Sequence, residues 1–147
     1  MKRCVCFVVT AVIIVCAGCG RGADVKNIDS PNRGIVCFGD SLTAGYGATE
    51  GNDYPSVLRA MVTREPVFNA GSNGDTSADG LARIADDVLA KKPRLVIVEF
   101  GGNDFLQKMS KEETFENIER IVDRIHSAGA AVVLLEIDTG MIGDPYL

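Results

Sequence analysis

The chain has 147 residues with 15 basic and 20 acidic side chains, a formal charge of −5, 46% hydrophobic residues, five cysteines and no tryptophan. That length holds one domain with a sizeable core, and that composition excludes a disordered or low-complexity polypeptide. An acidic chain without a basic stripe excludes nucleic acid as an expected partner.

The first residues, "MKRCVCFVVTAVIIVCAGCG", begin with Lys2 and Arg3, continue through an apolar stretch and end in small residues. Such a run is too short for a membrane span of about 20 residues and reads as an export signal. Its segment "VCAGC" resembles the lipobox of bacterial lipoproteins, with Cys16 where leucine is usual. The resemblance implies a lipoprotein-type signal peptide over residues 1–18 and lipidation of Cys19. Acyl chains would then tie the protein to a membrane, each buried methylene contributing about 0.8 kcal/mol. The expected location is the cell envelope or periplasm. Four of the five cysteines lie within the first 19 residues, so the export signal comes without a disulfide framework. Residues 19–33 read as a polar linker, and residues 34–147 as the folded domain.

Within the domain, Gly34 to Phe38 is the first expected strand, with Cys37 as a small buried residue. A helix from Tyr54 to Val62 follows, with Asp53 as its cap and Pro55 in its first turn. The second strand is Pro66 to Asn69. The next helix, about Ser77 to Ala90, opens on a Thr76–Asp79 capping box and places Leu81, Ile84, Ala85, Val88 and Leu89 on one face. "RLVIVEF", Arg94 to Phe100, is the third strand. A third helix begins at an S-x-x-E box of Ser110 and Glu113, turns Phe115, Ile118, Ile121, Val122 and Ile125 inward, and stops at Gly129. Ala130 to Ile137 is the fourth strand. Near-continuous apolar strands alternating with amphipathic helices predict an α/β domain of three layers, α/β/α, around a parallel sheet. A flavodoxin-like strand order, 2-1-3-4, would bring the first three strand exits together.

Those exits carry the polar loops "GDSLTAGYG", "NAGSNGDTS" and "GGNDFL". In an open parallel sheet, ligands bind outside the carboxyl ends of the strands. "GDSLTAGYG" completes neither nucleotide fingerprint, because no G-x-G-x-x-G or G-x-x-x-x-G-K-[ST] is present. Ser41 could be a helix-capping hydroxyl or a nucleophile. A nucleophile attacking an acyl carbon needs donors aimed at the developing oxyanion. Gly74 offers an unobstructed N–H and Asn103 a side-chain amide, each at a neighbouring strand exit.

Taken together and in this order, the three loops resemble the first three blocks of the SGNH, or GDSL-type, hydrolases, in the exported thioesterase, arylesterase and lysophospholipase branch. The resemblance implies that Ser41 is the nucleophile, and that its own N–H, the Gly74 N–H and the Asn103 side chain form the oxyanion hole. Asp40, Asp75 and Asp104 are assigned to loop hydrogen bonding. The expected hydrolase is cofactor-free, and one histidine with no zinc-type Cys/His spacing leaves no metal site to expect.

That family completes its triad with a D-x-x-H-P block. The terminal "DPYL" holds Asp144 and Pro145 without a histidine, and Asp138 stands too early. The single histidine, His126, falls at the far end of the third helix, about 24 Å from its start. A base must come within about 3 Å of the serine. His126 is expected as an exposed cation favoured by the helix dipole. The chain is therefore expected to be C-terminally incomplete, lacking a fifth strand, a last helix and the Asp/His pair, and to be very slow by itself. The expected activity is hydrolysis of an ester, thioester or lysophospholipid through a serine acyl-enzyme. The alternative is a catalytically inactive lipoprotein of the same fold that binds an acyl chain or glycan.

Overall fold

A computed structural model of the protein describes residues 25–136. The leader, Cys19, Ile137, Asp138, Asp144 and Pro145 lie outside the described residues. Four parallel strands form one sheet: β1 (Ile35–Gly39), β2 (Val67–Gly71), β3 (Leu95–Glu99) and β4 (Ala131–Leu134), in the order β2-β1-β3-β4. The expected strand order is the observed one.

The alternation of strand side chains divides the core between the two faces of the sheet. Val36 and Phe38 turn towards α3 (Ser77–Asp87) and α5 (Lys111–Ser127), where they meet Ile84, Val88, Val96, Val98, Ile121 and Ile125. Ile35, Cys37 and Val67 face the other way, packing on Tyr54 and Leu58 of α2 (Tyr54–Met61). Cys37 is fully buried and, among the described residues, forms no disulfide. Among the described residues β2 lies at one edge of the sheet, and its Phe68 and Asn69 are exposed.

Local signals set the helix starts. Asp53 caps α2, with Pro55 in its first turn. Thr76 and Asp79 form a reciprocal capping box on α3, and Ser110 accepts the Glu113 N–H at the start of α5. The strands begin or end a residue or more away from their expected limits. The second expected helix divides into α3 and a 3₁₀ turn, Leu89–Lys91, closed by Lys92 at φ +48°.

Phe115 corrects the expected inward face of α5: it is half exposed, beneath the Lys111 ammonium at 5.6 Å. Thr114 and Asn117 take the buried positions instead. Their polar atoms are satisfied there, Asn117 by donating to the Ser77 hydroxyl at 3.2 Å and Thr114 by donating to the Ser110 carbonyl at 3.1 Å. His126, expected exposed, is partly buried, and its carbonyl accepts from the Asn27 amide at 2.9 Å. The same amide reaches the Ala130 carbonyl at 3.0 Å, so residues around Asn27 cap the carboxyl end of α5.

Candidate active site

The amino end of the site is built on β1. Its last residue, Gly39, is followed by Asp40, whose carboxylate accepts the Leu42 N–H at 2.9 Å and caps α1 (Ser41–Ala44). Ser41 is thereby fixed at the first position of a four-residue helix, and its hydroxyl meets no partner among the described residues. α1 ends at once because Gly45 adopts φ +96°, a conformation that favours glycine.

The loop after β2 packs directly on that turn. Gly71 lies so close that a Cβ there would run into the backbone of Thr43 and Ala44. The Ser72 N–H donates to the Gly39 carbonyl at 3.1 Å. Gly74 holds φ +85°, faces open space, and its N–H meets no acceptor among the described residues. Asp75, next in sequence, accepts from Ser72 Oγ at 2.9 Å and from Arg83 Nε at 2.6 Å. The Arg83 guanidinium also donates to the carbonyls of Gly39 and Ala70 and lies 4.7 Å from the Phe38 ring centre, clamping the ends of β1 and β2 together.

The third loop supplies α4 (Gly102–Leu106), a short helix not expected from the sequence. It begins after Gly101 at φ +125°. Asn103 donates from Nδ2 to the Asp75 carbonyl at 2.8 Å and to Asp40 Oδ2 at 3.2 Å, so one amide joins all three loops. Asp104 is fully buried and accepts the Ser77 N–H at 2.9 Å and the Ser77 hydroxyl, fastening α4 to the start of α3. The loops bearing Ser41, Gly74 and Asn103 thus meet at the carboxyl ends of β1, β2 and β3. His126 stands at the opposite end, where α5 closes near the amino end of β4.

Beneath this surface lies a group the sequence reading passed over as part of an apolar strand. Glu99 ends β3, opposite Gly39 in the ladder, and is 3% exposed. Its Oε2 accepts the Thr43 hydroxyl at 2.8 Å, and Thr43 Oγ1 lies 3.1 Å from the Tyr54 hydroxyl. Burial, then the Asp40 charge, push its carboxyl up to about 7. Burial also raises Asp40, against the opposing effect of its bond to Leu42, and lifts the Cys37 thiol to about 11. The available signal was an acid inside "RLVIVEF", an unusual residue for a buried strand. Among the described residues, no group of three or more histidine, cysteine or acidic side chains could hold a metal ion.

The sequence model of the GDSL-like lipase/acylhydrolase family matches residues 37–146. The thioesterase 1/protease 1/lysophospholipase L1 of Escherichia coli strain K12 is 35% identical over 104 residues, covering 70% of this chain and 50% of that protein. The "uncharacterized lipoprotein YqeF" of Bacillus subtilis strain 168 is 30% identical over 138 residues, covering 84% of this chain and 53% of that protein. Among solved structures, AlinE4, an SGNH-hydrolase family esterase, matches with a TM-score of 0.66 and 38% identity, over 72% of this chain and 59% of that one. The chain spans about half the length of the curated relatives it matches.

Proposed function

The chain belongs to the GDSL-like lipase/acylhydrolase family, and from that premise we propose that it carries the nucleophile and oxyanion donors of a serine ester hydrolase. The observation that carries this reading is the Asn103 amide, bonded at once to Asp40 beside Ser41 and to Asp75 beside Gly74. It draws the three loops around one point. On those loops the Ser41 hydroxyl and the Gly74 N–H have no hydrogen-bond partner among the described residues.

In the proposed reaction Ser41 Oγ adds to the carbonyl carbon of an ester or thioester and gives up its proton to a base. The carbonyl oxygen becomes an oxyanion, met by the N–H groups of Ser41 and Gly74 and by the Asn103 amide. Collapse of the tetrahedral species breaks the bond to the alcohol or thiol, which leaves with a proton. Water then releases the acid from the acylated serine. Asn103 spends its amide hydrogens on Asp40 and Asp75, so it serves the oxyanion by sharing or exchanging one of those bonds. The base must stand within about 3 Å of the hydroxyl, a place His126 does not occupy.

The substrates proposed are small esters, thioesters or lysophospholipids, a choice supported by the printed name of the Escherichia coli relative. Export and a lipid anchor at Cys19 are proposed from the leader sequence, with support from the lipoprotein name of the Bacillus relative. Hydrolysis of a short-chain nitrophenyl ester by the full-length protein, with and without Ser41→Ala, tests the reading. The substitution should abolish turnover in a protein that still folds. Equal rates would leave an acyl- or glycan-binding role for the same fold.

A further inference from the structure

We propose that Glu99 is a positioning residue for Ser41: its neutral carboxyl passes through the space Gly39 leaves open, accepts the Thr43 hydroxyl on one oxygen and donates from the other to Asp40. The proposal rests on the reading of Ser41 as nucleophile.

Gly39 makes the arrangement possible. A Cβ at that position would collide with the Thr43 hydroxyl, with the Glu99 carbonyl and with Glu99 Oε2. The glycine before the Asp-Ser pair therefore opens the path by which a β3 side chain reaches under α1. Glu99 is 3% exposed, and its Oε1 is fully buried without a hydrogen-bond partner among the described residues. A buried carboxylate oxygen left this way is costly. A proton on Oε1 turns the orphan acceptor into a donor, and the carboxylate offered to it is that of Asp40, which follows Gly39, the residue opposite Glu99 in the ladder.

With that proton in place, the bonds run in one direction. Tyr54 O–H donates to Thr43, Thr43 O–H to Glu99, and Glu99 O–H to Asp40, which also accepts from Leu42 and Asn103. Glu99 thereby holds α1 through Thr43 on its third residue and through Asp40 at its cap, on either side of Ser41 in the chain. Among the described residues, the surrounding elements bring no cation to it. Asp40 faces it from the β1–α1 turn, and Cys37 of β1 and Tyr54 of α2 are neutral. Asp75 and Asp104 act on Asp40, and the Arg83 guanidinium reaches the Gly39 carbonyl and the carboxylates of Asp75 and Asp87. Ionisation of Glu99 therefore places a second anion beside Asp40 and loosens the cap that sets the Ser41 angle.

The test uses the full-length protein with Glu99→Gln and Glu99→Ala. Gln keeps an acceptor for Thr43 and a donor for Asp40, whereas Ala removes both. With a nitrophenyl ester, Glu99→Ala should lower kcat roughly tenfold or more with KM nearly unchanged, because misplacement of the nucleophile costs rate rather than binding. Glu99→Gln should restore most of kcat. Independently of turnover, carbon-13 NMR should show the Glu99 carboxyl titrating far above an ordinary glutamate, with the Leu42 amide resonance moving at the same midpoint, and that movement absent in Glu99→Gln. Equal loss of kcat in both variants, or a Leu42 amide indifferent to the Glu99 titration, would overturn the proposal. A rate unaffected by Ser41→Ala would remove the nucleophile reading instead, leaving the NMR titration to decide whether Glu99 governs the Asp40 cap.

Discussion

The Asn103 amide donates to the Asp40 carboxylate at 3.2 Å, across 63 positions of sequence. Asp40 caps the helix that begins with Ser41, so a bond between the third and first loops bears directly on the orientation of the proposed nucleophile. The same amide fixes the Asp75 carbonyl at 2.8 Å. Positioning and proposed oxyanion stabilisation are therefore joined in one side chain.

Asn103→Ala should consequently cost more than one donor. Loss of a single oxyanion donor lowers kcat by roughly 10²–10³, and the released Asp40 and Asp75 add a loss of order. Comparing kcat of Asn103→Ala with that of Asn103→Asp checks this, since the aspartate keeps the size, loses the donor, and brings a further acid towards Asp40. Both should be severely slowed, with aspartate no better than alanine.

Gly71→Ala should separate loops that now touch. The added methyl would overlap the backbone of Thr43 and Ala44, where no flexible side chain can yield. Overpacking of this kind costs about 1–3 kcal/mol. Urea unfolding should show that loss, and ester turnover should fall further than stability alone explains, because the displaced backbone is that of α1.

The pH dependence of stability has opposite signs at the two ends of the range. Glu99 is raised from 4.5 to about 7 by burial, so the folded state binds a proton that the unfolded chain has already released. Its contribution is full below about 4.5, declines as pH rises towards 7, and is constant above. Asp53 and Asp79 are lowered by their bonds to Ser56 and Thr76; their contribution is present above the ordinary aspartate range and is lost as pH falls through it. Unfolding free energies across pH 3 to 9 should pass through a maximum on the acid side of neutrality, and Glu99→Gln should flatten the decline above it.

His126→Ala should leave ester turnover unchanged. The residue lies at the carboxyl end of α5, where its carbonyl is held by Asn27, while Ser41 opens at the other end of the sheet. A large fall in kcat with intact folding would show that the proton leaves Ser41 by a route this architecture does not provide.

Much of the fold was legible because its signals are local. The Thr76–Asp79 box, the Asp53 and Ser110 caps and the apolar runs of β1 and β3 each act within a few residues, and the strand order was expected by analogy with flavodoxin-like sheets. What escaped depends on contacts between distant segments. Glu99 reads as a strand residue until the ladder sets it opposite Gly39. Asn117 is buried on α5 with the Ser77 hydroxyl, 40 positions away, as its partner, while Phe115 is half exposed. α4 has five residues and no apolar period to announce it, and its start after Gly101 depends on a backbone conformation rather than a cap. The three loop positions were visible as motifs, but the amide that ties them together was not.

The central claim is that Ser41 forms the covalent acyl-enzyme. Treating the full-length protein with an alkyl fluorophosphonate and mapping the adduct by peptide mass spectrometry tests it most directly. One phosphonyl group on Ser41, formed in step with loss of ester hydrolysis, is the predicted result. Inactivation with the label on another residue, or hydrolysis abolished with Ser41 unmodified, would contradict it.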